Sequence, residues 1–378
     1  MWTVVLHHLL GTPGFGWVSM QTFFVLSGFL ITRMLLVEQH LPLREGLKLF
    51  YWRRALRIFP ALYAYLLIML VVSYVSADFA SARPMIGWSA IFLQNIAWMN
   101  SVDAGITKAG IMATQHLWSL CVEEHFYVVW PLVFLMAGPR LRMPLVVVLI
   151  VAGPCLRWLI QENWTGTRHY AEVIYVFSGS HIDAFAIGAL VTLLWNRRSI
   201  RHPSLKRFLA LCAAVVTVGM LVAQHPLVPR DFTDIRTYAF GYPLYMHESG
   251  QGVWGYTLVN LLAAQLMILA VDHPGLARFL NHRFLVWSGK ISFGMYLLHQ
   301  PVLYLFLHLQ LWMQPYLGSR PSIALVSIAY LVVIFIIGSF CFRYFESYFF
   351  RFRPRPRTRV EPVGPTPLAH DPAPARTQ

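Results

Sequence analysis

The chain has 378 residues, of which 57% are apolar and only 12% are charged, about half the charged share of a soluble domain. A soluble globular protein is therefore excluded, because it would need more charge to cover its surface. The net charge of +14 would suit nucleic acid, but most basic residues lie in short segments between apolar runs. No nucleic-acid partner is expected.

Apolar runs recur along the chain at about the 20 residues that cross a bilayer as a helix. The predicted spans are residues 2–10, 17–37, 59–76, 116–136, 143–161, 182–196, 207–223, 253–271, 291–312 and 322–345. The first covers only about 15 Å as a helix, half the hydrocarbon thickness, so the first helix is expected to be truncated. The stretch 86–99 carries Gln94 and Asn95, which favours an interfacial or re-entrant segment. The predicted class is an all-α polytopic membrane protein with about ten transmembrane helices.

The distribution of basic residues predicts the orientation. With the N-terminus in the cytoplasm, alternating loops put most of the 30 Lys and Arg residues on the cytoplasmic side, as the positive-inside rule requires. Both termini are thus expected in the cytoplasm. Helical spans predict the cell inner (cytoplasmic) membrane, because outer-membrane proteins are barrels.

The domain organisation follows composition. Residues 1–353 form the predicted membrane-embedded domain. Residues 354–378 are rich in Pro and Arg and are expected to be a disordered cytoplasmic tail. The basic stretch RFRPRPRTR, residues 351–359 at this boundary, could rest on anionic headgroups, so membrane lipids are expected partners. The four cysteines lie in apolar stretches, which indicates packed thiols rather than disulfides.

Polar groups kept inside apolar spans mark a functional site in a helical membrane protein. His7 and His8 are adjacent, so only one of them can face the bundle well. A neutral imidazole there could take a proton from a hydroxyl group, and the other histidine would serve packing. No metal signature or Gly-rich phosphate loop occurs, and no metal site is predicted.

The segment 116–131 carries a polar stripe. His116, Ser119 and Glu123 fall at offsets that share one helix face, and Tyr127 lies one turn beyond Glu123. A carboxyl group within a span is hard to explain by packing alone. Glu123 is the favoured functional residue; solvation at the membrane interface is the alternative.

Two arginines of the segment 50–60, Arg54 and Arg57, are spaced i, i+3 and share a helix face. Two guanidinium groups on one face suit phosphate. The alternative is contact with lipid headgroups, since arginines just inside a span often serve the positive-inside rule.

Five further residues could line a cavity, each with a structural alternative. Ser27 and Gly28 lie mid-span and could instead allow close helix packing. Asp183 begins a helix and could cap it. Tyr296 and His299 are i, i+3 neighbours, and His299 could simply bond a backbone carbonyl.

Taken together, these segments resemble the membrane-bound acyltransferase-3 family, the O-acetylases of lipopolysaccharide, peptidoglycan and other glycans. The matching strings, in family order, are VVLHH, FFVLSGFLITRML, FYWRRALRIFP, QHLWSLCVEEHFYVVWPL, HIDAFAIGAL and ISFGMYLLHQPV. The resemblance implies a ten-helix unit, and it matches His8, Arg54, Arg57 and Glu123 to family motif positions. The family's first-helix arginine would fall before Met1, so a misplaced start or a truncation is expected. The SGNH hydrolase-like domain of some members is not expected here.

The resemblance also implies an activity. An acyl group, typically acetyl, would move from cytoplasmic acyl-CoA to a hydroxyl of a cell-surface or exported glycan or glycolipid. Arg54 and Arg57 would hold CoA phosphates, and His8 would be the general base or a transient acyl carrier, oriented by Glu123. No cofactor would be bound permanently, since acyl-CoA is a co-substrate.

The rival class is a proton-coupled transporter or flippase of a polar metabolite or lipid-linked sugar. Buried His, Glu and Tyr side chains would suit it, with the outer segments 77–115 and 224–253 as a gate. The sequence has no evident internal repeat, which argues against it. The acceptor and the acyl chain length remain open.

Overall fold

The computed structural model describes residues 1–10, 13–100, 106–164, 170–196, 205–223 and 251–354. Over these ranges the chain is almost entirely helical and contains no β-strand. Seven helices of the described part are long and apolar enough to cross a membrane. The chain is therefore an all-α polytopic membrane protein. The count of ten spans and the cytoplasmic termini remain predictions.

The described helices are given in chain order. They are α1 (Trp2–Leu10), α2 (Pro13–Glu38), α3 (Leu43–Val75), α4 (Arg83–Ala90), α5 (Gln94–Asn100), α6 (Lys108–Thr114), α7 (Trp118–Met136), α8 (Arg142–Trp164), α9 (Tyr170–Val176), α10 (Ile182–Asn196), α11 (Leu205–Ala223), α12 (Gln251–Asp272), α13 (Pro274–Leu280), α14 (Arg283–Leu317), α15 (Ser319–Phe340) and α16 (Ser347–Phe350). Short 3-10 segments cover Ala77–Ala82, Gln115–Leu117 and Ser178–His181, and a π-helical turn covers Cys341–Glu346.

Two predicted spans differ from the helices that contain them. The span 59–76 is only the second half of α3, which begins at Leu43, so Arg54 and Arg57 lie within the helix. The span 116–136 starts with a 3-10 turn, Gln115–Leu117, and α7 begins at Trp118. His116 therefore does not share the helix of Glu123, because the tighter turn breaks the predicted helical stripe.

The stretch 86–99 is not one continuous helix. It is divided between α4 and α5, and the break contains Phe92 with a φ of 58°. Helices of this length cannot cross a bilayer. Gln94 and Asn95 are fully buried, which satisfies the need to keep polar side chains away from lipid.

Helices α2 and α10 approach each other backbone to backbone. A Cβ atom added to Gly28 would lie 2.1 Å from the carbonyl oxygen of Phe185, and one added to Gly188 would lie 2.0 Å from that of Val25. Small residues allow such backbone approach in membranes. Gly28 therefore serves packing, the alternative that its position mid-span left open.

The predicted tail 354–378 is described only at Pro354; its other residues lie outside the described ranges, as does most of the segment 224–253.

Candidate functional site

Three histidines from distant parts of the chain lie together inside the bundle. The ring centroid of His299 on α14 is 5.2 Å from that of His8 on α1 and 5.1 Å from that of His116 in the 3-10 turn before α7. His116 and His299 are buried, and His8 is half-buried. We call these three residues the histidine cluster. It unites three of the residues selected from the sequence.

Backbone carbonyl groups assign the tautomers of two of these rings. His299 Nδ1 is 2.6 Å from the carbonyl oxygen of Tyr296, and His116 Nε2 is 3.1 Å from that of Leu297. A carbonyl oxygen only accepts, so these two nitrogens must donate. The opposite nitrogens, His299 Nε2 and His116 Nδ1, are buried and have no hydrogen-bond partner among the described residues. Each neutral ring therefore keeps one lone pair available inside the site.

His8 is held by a residue that the sequence analysis did not select. The side-chain amide nitrogen of Gln300 is 3.2 Å from His8 Nε2, and Gln300 is almost fully buried. His7 stacks edge-on against His8 at 4.9 Å and lies where a Cβ on Gly16 would meet its ring at 2.3 Å. Thus the His8 ring lies beside His299, whereas the His7 ring packs against α2. The position of Gln300 next to His299 forms no spacing pattern that marks it in the sequence.

Tyr296 connects the histidine cluster to α7. Its hydroxyl group is 2.9 Å from Ser119 Oγ and donates to the backbone carbonyl of His116. Its ring meets the His116 ring edge-on, with centroids 5.3 Å apart. Tyr296 also lies within electrostatic range of Glu123. Ser119 and Tyr296, both predicted to line a cavity, therefore lie next to the histidine cluster.

Glu123 belongs to a neighbouring group that contains the arginines. The Arg54 guanidinium lies over the Tyr127 ring, 3.9 Å from its centroid, and the Tyr127 hydroxyl is 2.6 Å from Ser27 Oγ. Glu123 is 6% exposed and interacts electrostatically with Arg54 and Arg57. The structure thus groups Glu123 with cations, which compensate a buried carboxylate, whereas His8 lies with Gln300 and His299.

Asp183 lies in a different buried network. It forms an ion pair with Arg157 at 2.9 Å, and both side chains are fully buried. The hydroxyl of Thr257 donates to the same carboxylate at 2.6 Å. Asp183 therefore joins α10 to α8 and α12. Arg157 lies near the end of the predicted span 143–161, and the sequence does not reveal that it points inward.

A further buried pair lies near this ion pair. Gln21 Nε2 is 2.9 Å from His181 Nδ1, and His181 Nε2 is 2.9 Å from the carbonyl oxygen of Tyr175. Both side chains are fully buried. Since both His181 nitrogens have partners, this ring ties α2 to the segment before α10.

The fold and this site define a multi-pass membrane protein that keeps ionisable side chains inside its helix bundle, the usual mark of an intramembrane functional site. A family model described as an acyltransferase domain matches residues 1–340. The chain belongs to this acyltransferase-3 family.

Named relatives point in the same direction. The chain is similar to the peptidoglycan O-acetyltransferase OatA of Listeria monocytogenes, with 26% identity over 88% of this chain and 51% of the relative. It is also similar to the O-acetyltransferase OatA of Staphylococcus aureus, with 25% identity over 76% of this chain and 46% of the relative. The chain spans about half the length of these relatives. No solved structure matches.

Proposed function

We propose that this protein is an O-acetyltransferase of the inner membrane that transfers acetyl from cytoplasmic acetyl-CoA to a hydroxyl of a cell-envelope glycan. The observation that carries the proposal is the histidine cluster, in which His8, His116 and His299 meet inside an acyltransferase-family bundle. Peptidoglycan is the first acceptor to test, because it is the substrate in the name of a relative.

His8 would act on the acceptor hydroxyl as a general base. The hydroxyl oxygen attacks the thioester carbonyl while His8 takes its proton; the C–S bond then breaks, and the leaving thiolate regains a proton from the imidazolium. Direct attack by His8, with a transient acyl-imidazole, is the alternative route. In both routes the reacting lone pair is that of His8 Nε2, which the Gln300 amide nitrogen occupies at 3.2 Å in the resting site and yields to the substrate.

A lone pair on a neighbouring ring can stabilise the positive charge that His8 gains when it takes the proton. His299 Nε2 is buried without a partner among the described residues, and its ring lies beside His8. An acceptor lone pair stabilises a nearby imidazolium more strongly in a low-dielectric interior than in water. We therefore assign to His299 the stabilising role that the sequence analysis gave to Glu123.

Arg54 and Arg57 would bind phosphate groups of the donor, because paired guanidinium groups on one helix face match phosphate geometry. Glu123 would keep these two arginines in place before the donor binds, as their electrostatic interaction suggests. The donor would approach from the cytoplasmic side of the predicted topology.

The test uses purified protein in nanodiscs with radiolabelled acetyl-CoA and a panel of glycans that includes peptidoglycan fragments. Wild-type protein should transfer label to a glycan, and His8→Ala should lower the rate by about 10²–10⁴. The matched control is His7→Ala, which should stay close to wild type because His7 packs on Gly16. Near wild-type transfer by His8→Ala would refute the assignment.

A proton-coupled transporter or flippase is the second class. It is not favoured, because the chain belongs to an acyltransferase family. Proton-dependent uptake of a substrate without consumption of acetyl-CoA would replace the proposal by that class.

A further inference from the structure

The C-terminal end of the described chain returns to α3 beside the arginine pair. Trp52 Nε1 donates to the carbonyl oxygen of Phe352 at 3.4 Å, and Arg53 Nε donates to that of Pro354 at 3.3 Å. Two consecutive residues of α3 therefore hold the backbone on either side of Arg353. The next residue of α3 is Arg54, so the docking brings Arg353 close to the proposed donor site.

The Arg353 side chain is positioned but incompletely satisfied. Its guanidinium carbon lies 3.6 Å from the centroid of the Phe350 ring. Its Nε and Nη2 atoms are buried without a hydrogen-bond partner among the described residues. Burial, followed by the charges of Arg57 and Arg54, lowers the pKa of Arg353 to about 10, so the group stays charged at neutral pH. The charges of Arg353, Arg57 and Arg54 repel one another, and a bound anion would relieve that repulsion.

A π-helical turn supplies one balancing carboxylate. The turn Cys341–Glu346 interrupts the helical run, and π-turns often occur at functional sites. It buries Glu346 to 4% exposure, and a Cβ on Gly294 would lie 3.1 Å from Glu346 Oε1. Glu346 interacts electrostatically with Arg57 and Arg353. This single carboxylate positions the two cations and leaves donors on Arg353 unused.

We propose that Arg353 is a third donor-binding residue, which joins Arg54 and Arg57 to bind a phosphate of acyl-CoA. The inference rests on the proposed function and extends it to a residue that the sequence assigned to lipid headgroups. A neighbouring arginine shows the difference: Arg351 is exposed, as a headgroup contact should be, whereas Arg353 points toward α3. Phosphate is the shared chemistry, and the donor and a lipid are its two sources.

The first experiment compares two acetyl donors, acetyl-CoA and S-acetylpantetheine, which lacks every phosphate. Arg353→Ala should raise the KM for acetyl-CoA roughly ten- to hundredfold, the loss expected for a charge-assisted hydrogen bond. Its kinetics with S-acetylpantetheine should match wild type. Arg353→Lys should recover part of the loss, and the matched control Arg351→Ala should leave both donors unaffected.

Three outcomes would overturn the inference. They are an unchanged KM for acetyl-CoA, an equal rise for both donors, and a rise that appears in anionic phosphatidylglycerol nanodiscs but vanishes in neutral phosphatidylcholine ones. The last outcome would identify a lipid headgroup as the ligand. Equilibrium binding of radiolabelled CoA separates the two proposals. Binding that weakens in Arg353→Ala, in a protein that transfers no acetyl, would refute the proposed function and retain the inference.

Discussion

Replacing Arg157 with Met tests what joins α8, α10 and α12. The guanidinium uses all of its N–H donors, which number five in arginine. Nε donates to the carbonyl oxygen of Val253 at 2.8 Å, Nη1 to that of Ser180 and to Asp183 Oδ1 at 2.9 Å, and Nη2 to Asp183 Oδ2 at 2.9 Å and Thr257 Oγ1 at 2.7 Å. Such complete satisfaction is typical of a structural ion pair rather than of a group awaiting a ligand.

The expected magnitude follows from burial. Both charged side chains are fully buried, and removing one partner of such a pair costs about 3–5 kcal/mol because the other charge is left unpaired. Arg157→Lys should also destabilise, since an ammonium group cannot reproduce the planar fork. The double variant Arg157→Met/Asp183→Leu should be more stable than Arg157→Met, because no isolated charge remains.

The assay is thermal unfolding in detergent, measured together with acetyl transfer per folded molecule. Arg157→Met should lower the melting temperature by on the order of 10 °C and leave the KM of the folded fraction unchanged. The control Arg278→Met removes an exposed arginine and should melt as wild type does. Lost transfer at an unchanged melting temperature would refute the reasoning and return Asp183 to the cavity-lining role that the sequence allowed.

Three other perturbations address the packing and the site. Gly28→Val should destabilise by about 1–3 kcal/mol or more, because the new side chain meets backbone; the control Gly87→Val enters open space and should not lower the melting temperature. His299→Ala should reduce the kcat of transfer about tenfold or more. The control His308→Ala, at an exposed position of the same helix, should keep the wild-type kcat. Equal kcat values for the two variants would contradict the role assigned to His299. Arg57→Ala should raise the KM for acetyl-CoA with little change in kcat; initial rates that show a lower kcat at constant KM would argue against phosphate binding.

Local chemistry made several site residues recognisable from the sequence. His8, His116 and His299 stand out because an imidazole within an apolar run costs free energy unless it is paired or used. The structure adds their meeting point, which depends on how α1, the turn before α7 and α14 pack. Gln300 was not found, since an amide beside a histidine has no spacing signal.

Two charged residues show what the sequence could not reveal. Arg157 and Arg353 look like ordinary basic residues at span ends, where lipid headgroups usually explain them. Only the fold reveals that one reaches Asp183 and that the other is held by α3 near Arg54. The direction of a long side chain depends on its neighbours, and the sequence does not encode those neighbours locally.

By itself, the sequence determined that this is a helical membrane protein with a few ionisable groups inside lipid, because hydropathy and helix length are local properties. For Gly28 the sequence allowed two roles, lining a cavity or permitting close helix packing. The tertiary structure alone decided which polar groups meet. It placed Glu123 beside Arg54 and Arg57 and joined Asp183 to Arg157. It also placed His116 in the 3-10 turn before the helix of Glu123. Contacts of this kind depend on the packing of the whole bundle.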